Sequence, residues 1–119
     1  MAANPTVAVN GHDVVVEGAD YAGLSLVKAN FSSAKLKGAC LDEADLSGAN
    51  LNSADLSGAT FRRAVLEGTN FHNAVLDGAT FEDVRKSANL DLSYARLNGV
   101  WAEDVNLERA NLAAAHGTH

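Results

Sequence analysis

The stretch ADLSGANLNSADLSGATF, residues 44–61, repeats one five-residue word. Each word has a small residue, a polar one, a large apolar one and then two turn formers. A helix places apolar residues three and four apart, and a strand places them at every second position. A period of five suits neither as a continuous element. It requires a chain that turns after every word, and a short strict period over most of a chain marks a stack of like units.

The large residue of each word, its centre, falls at every fifth position from Tyr21 to Phe81 and again, one residue late, from Leu92 to Leu112. Two residues before it stands a small side chain, usually Ala. In extended backbone those two point to one face. Gly, Ser and Asn crowd the last two places, where tight turns need them. A chain that turns this often has interior room for one large side chain per word, beside an Ala-sized one. Lys86 falls where a centre belongs, so one extra residue within 85–89 predicts a bulge.

The pattern A-(D/N)-L-x-x runs over about 95 of the 119 residues and resembles the pentapeptide-repeat family. The resemblance implies an all-β fold, a right-handed quadrilateral β-solenoid with four words per coil and one word per side. About five coils at roughly 4.8 Å per strand spacing predict a rod about 24 Å long. The solenoid is drawn over 19–112 and a tail over 113–119. Residues 1–18 are drawn as an N-terminal cap, because valines alternate around Asn10-Gly11, a hairpin signal.

A chain of 119 residues, 47% hydrophobic, suits one domain with a sizeable core. No apolar run approaches the 18 or so residues of a membrane span, and the N-terminus lacks the pattern of a signal peptide. The single cysteine, Cys40, suits a reducing compartment, so a cytoplasmic location is expected. A net charge of −6 argues against direct contact with nucleic acid phosphates.

The register also orders the outer surface. On side three the residue before each centre is Asn30, Asn50, Asn70, Asp91 or Asn111. This column reads as a structural ladder that caps turns. Side one carries most of the charge after its centres: Asp42-Glu43, Arg62-Arg63, Glu82-Asp83 and Glu103-Asp104. Opposite charges across neighbouring strands support a sheet modestly. The stack of Glu82, Asp83, Glu103 and Asp104 opposes like charges, which the fold does not need. Trp101 should face outward beside it. Asp42, Glu43, Glu82, Asp83, Trp101, Glu103 and Asp104 are therefore the candidate partner-binding residues. Cys40 shares the outward column of Trp101 and is expected to be an inert, exposed thiol. No catalytic, cofactor or metal site is expected: the histidines share no ligand spacing, the glycines follow the turn period, and the interior is filled.

Three readings remain open. The leading one is a non-enzymatic interaction or scaffold protein that presents a rigid acidic rod to a protein partner. The second, implied by one branch of the family, is a DNA mimic that binds DNA gyrase or another topoisomerase and confers inhibitor resistance. Duplex DNA carries about one charge per 1.7 Å, or roughly fourteen over about 24 Å, against a net six here. The third is a purely structural, consensus-like repeat module. Tyr94, Trp101, Leu107 and Leu112 gather in the last coils, where an open strand edge needs cover, and predict a tail-to-tail homodimer.

Overall fold

The computed structural model of the chain describes residues 15–103, 105–107, 109 and 111–117. The hairpin expected around Asn10-Gly11 lies outside them. Parallel bridges join residues twenty apart: Val15 to Lys35, Asp20 to Cys40, Ser25 to Asp45 and Asn30 to Asn50. With words of five, four words close one coil, and each word supplies one side.

One word shows why the repeat has this form. Ala44 N–H closes a turn onto Leu41 O at 3.1 Å. Asp45 N–H reaches back to Leu24 O (2.9 Å), and Leu46 N–H reaches forward to Val65 O (2.8 Å). Gly48 N–H also goes forward, to Glu67 O at 2.9 Å. The remaining amide, Ser47 N–H, donates to Asp45 Oδ1 at 3.0 Å. Buried backbone donors need acceptors, and every amide of the word has one. The Asp or Asn of the word is thus a turn cap. The second turn residue holds a left-handed φ in word after word, from 51° at Asp83 to 72° at Gly23, as a type II turn requires.

The centres and their alanines form one continuous core. Leu36, Leu46, Leu56, Leu66 and Leu76 are fully buried, each contributing roughly 1.5–3 kcal/mol relative to an exposed side chain. Phe61 and Phe81 stack in parallel at 4.6 Å, and Phe71 meets both edge-on. Thr69 occupies an alanine place, fully buried, and donates its hydroxyl to Leu46 O at 2.9 Å.

At the slip, Arg85 N–H donates to Ala64 O (2.9 Å), while Lys86 O accepts from Leu66 N–H (2.6 Å). Two residues oppose Val65 alone, which is a β-bulge. Lys86 stays outside, and Ser87 takes the centre place. Its hydroxyl exchanges hydrogen bonds of 2.8 Å with the carbonyl and amide of Asn106. The two short strands flank the bulge, β1 (Thr80–Glu82) before it and β2 (Trp101–Glu103) one coil later, and they pair in parallel.

The register runs past both boundaries drawn from the sequence. Val15 already pairs with Lys35, and Gly18 N–H donates to Lys37 O. Residues 113–117, read as a tail, instead continue the coil: Tyr94 N–H donates to Ala113 O, and Arg96 bridges to His116. Gly117 stands in the centre place. A Cβ there would lie 2.8 Å from Leu97 O, so no larger centre fits.

Candidate interaction surface

Side one is built on the outward column Asp20, Cys40, Thr60, Thr80 and Trp101, joined by parallel pairing. Its charges sit at the corner that follows each centre. Arg63 pairs with Glu43 one coil before it at 3.0 Å, and Arg62 pairs with Glu82 one coil after it at 3.2 Å. These pairs are exposed and individually weak, but they leave neither acid free for a partner.

Asp42 has a different duty. Thr60 replaces the usual Asp or Asn before its centre, so its own side chain does not cap the following turn. Asp42 Oδ1 reaches up from the coil below and accepts Arg62 N–H at 2.9 Å. Among the described residues the same cap from the coil below recurs in two further words: Glu67 accepts Ala88 N–H, two residues after Lys86, and Asp77 accepts Asn98 N–H, two residues after Arg96. The sequence signal is an acid just after a centre, twenty or twenty-one residues before a word position that lacks its own cap. The ladder on side three behaves in the ordinary way: Asn30, Asn50, Asn70, Asp91 and Asn111 each accept the amide two residues on.

Of the candidate partner-binding residues, Asp83 and Glu103 form no ion pair among the described residues. Glu103 lies in register above Glu82, and Trp101 above Thr80. Trp101 is 60% exposed. Asp104 is outside the described residues. Cys40 is only half-buried and forms no disulfide.

The residues proposed for the C-terminal end do not form one group. Leu107 and Leu112 line an apolar hollow of about 120 Å³ together with Phe81, Leu92, Val100 and Val105. Trp101 stands outside on side one. Tyr94 lies on side three, where its ring meets His72 edge to face at 5.5 Å.

Two carboxyls are held below the usual range. Burial pushes Asp55 upward, but the Ser57 hydroxyl and amide, with Lys37 and Lys35, outweigh it. Burial likewise raises Asp91, and the Ser93 hydroxyl and amide with His72 prevail. Both are consequences of turn capping. Among the described residues, no group of three or more His, Cys, Asp or Glu could hold a metal ion.

Stacked parallel coils with a turn at each fifth residue define a β-solenoid. The family model "Pentapeptide repeats (8 copies)" matches residues 12–48 and 44–83, and the chain belongs to the pentapeptide-repeat family. Its structure is similar to that of HetL, a pentapeptide repeat protein involved in heterocyst differentiation regulation in the cyanobacterium Nostoc sp. strain PCC 7120. The two are 30% identical over 87% of this chain, with a TM-score of 0.71, and this chain spans only 54% of HetL. A pentapeptide repeat protein from the Arabidopsis thaliana thylakoid lumen is 25% identical, with 88% of this chain and 66% of that one covered and a TM-score of 0.51. QnrB1, a plasmid-mediated fluoroquinolone resistance protein, shares the fold at 19% identity and a TM-score of 0.50, over 93% of this chain and 69% of its own. A comparison with proteins of curated function finds no match.

Proposed function

We propose that the chain is a non-catalytic interaction protein, a right-handed solenoid of about five coils that presents one end of side one to a basic protein surface. What carries this reading is the exposed Trp101 on the strand that also carries Glu103, with Asp83 at the corner of the coil below; the two acids take no part in the ion pairs among the described residues. An exposed indole gives a partner a large contact area, and unneutralised carboxylates steer a cationic surface toward it. The test compares capture of partners from the source cell by the intact chain and by the variant Asp83→Asn/Trp101→Ala/Glu103→Gln. A partner retained by both overturns the reading.

A topoisomerase such as DNA gyrase is the named partner that the acidic side favours. The Arg62-Arg63 pair interrupts the acid column, so any mimicry of DNA is confined to the coils above it. A supercoiling assay in which the chain neither inhibits gyrase nor protects it from a quinolone removes that partner. The open apolar end at Leu107 and Leu112 supports, in addition, a tail-to-tail homodimer.

A further inference from the structure

Side three differs from the other sides in charge. Asp91 carries the single formal charge among its outward residues from Asn30 to Ala114, whereas side one is charged from Asp42 to Glu103. Two of the capping amides in the middle of the ladder use only their oxygens among the described residues. Asn50 Oδ1 and Asn70 Oδ1 accept turn amides, and their Nδ2 groups have no acceptor among the described residues. Those donors recur along the rod at the strand spacing of about 4.8 Å.

An aromatic side chain stands at the C-terminal end of this face. Tyr94 is 59% exposed and occupies the left-handed turn place at φ 60°, where a bulky side chain is disfavoured. His72 lies against its ring. His72 Nδ1 is 2.7 Å from Ser93 Oγ, and Ser93 Oγ donates to Asp91. A hydroxyl that gives its proton to a carboxylate must accept from the imidazole, so Nδ1 carries a proton, and in the neutral ring Nε2 is left as an acceptor.

We propose that side three binds an extended, neutral, β-linked polysaccharide that lies along the rod axis. Tyr94 stacks on one sugar, His72 Nε2 accepts a hydroxyl proton, and the Asn50 and Asn70 amides donate to ring and hydroxyl oxygens. The chemistry of the face selects this ligand. A neutral face gives no steering to a cationic partner, and the net charge of −6 repels nucleic acids and acidic glycans. An uncharged polyhydroxyl chain matches a row of amide donors with one fixed acceptor. An extended β-1,4-linked glycan also advances per sugar by close to one strand spacing, so successive sugars meet successive coils. The proposal does not depend on the reading of side one.

Native electrophoresis of the intact chain through gels containing hydroxyethylcellulose, glucomannan or xyloglucan tests it. Retardation is expected in at least one gel and should persist at about 0.5 M salt, where exposed charges are screened. Tyr94→Gly removes the ring at a place where glycine relieves backbone strain, so its melting temperature should not fall. Its affinity for the retarding glycan should drop roughly tenfold, as befits one lost aromatic stack, while Tyr94→Phe keeps most of it. Unchanged mobility in all three gels, retardation abolished by salt, or equal retardation of Tyr94→Gly each overturns the proposal.

Discussion

The Asp42 carboxylate accepts Arg62 N–H from the coil above because the Thr60 side chain does not cap that turn. A partner that took this carboxylate would leave an amide of the fold without its acceptor. Asp42→Ala should therefore destabilise the chain by about 1 kcal/mol, the lower end of the range for an orphaned donor at a partly solvated turn. Asp42→Asn, which keeps the acceptor oxygen, should be nearly neutral in urea denaturation. Asp55 shows the other consequence of side-chain caps. Its carboxyl is held below the ordinary value of 3.8 in the folded chain. A depressed carboxyl contributes stability that is complete above the unfolded value and is lost as pH falls through the folded one. Thermal melts recorded from pH 6 downward should lose midpoint below about pH 4, and Asp55→Asn should flatten that acid limb while keeping the Ser57 cap. An acid limb identical in the variant would mean that other carboxylates, Asp91 among them, carry the linkage.

A side of the coil tolerates a change in its number of residues only where the extra residue is carried outside the ladder. At 85–86 the bulge does this: the Arg85 amide and the Lys86 carbonyl together do the work of one residue opposite Val65. Deleting Arg85 should restore the even spacing of twenty and leave a cooperative melt within about 5 °C of the parent. Deleting Ser57, in an unbulged turn, should abolish the cooperative transition by circular dichroism, since each later centre would leave the interior. Equal tolerance of the two deletions would contradict the register. The coil and the slip are legible in the sequence because both are matters of spacing, and so is the alternation around Arg62 and Arg63. Other features are not spelled by spacing. Val15 and Val16 fit an alternating strand as well as a coil side, and Gly117 has no side chain to mark a centre, so spacing alone stops short of both ends of the solenoid. The capping duties of Asp42, Glu67 and Asp77 depend on which residue lies one coil above, a vertical relation that appears only after the coils are stacked. Trp101 and Tyr94 are near in sequence yet stand on different sides, because the word 95–99, which forms side four, lies between them.

At the scale of the whole molecule, the coils differ mainly in what covers them. The middle ones have a neighbour above and below, and their centres are fully buried. In the last described coil Leu107 and Leu112 are 47% and 45% exposed and line an apolar hollow. Their amides have no acceptor among the described residues, whereas Leu92 N–H, one coil earlier, donates to Asn111 O at 2.8 Å. Free strand edges beside exposed apolar surface favour pairing with another chain. Stacking head to tail would repeat without limit, while a two-fold pairing of identical ends uses the same surface twice and then stops. Light scattering at tens of micromolar should accordingly give about twice the 12.4 kDa of one chain. Leu107→Asp/Leu112→Asp charges a surface that is already half-exposed, so it should halve the mass while leaving the circular dichroism spectrum and the protection of the middle coils from hydrogen exchange unchanged. A single-chain mass for the parent across the whole concentration range would show that the last coil stands without a partner.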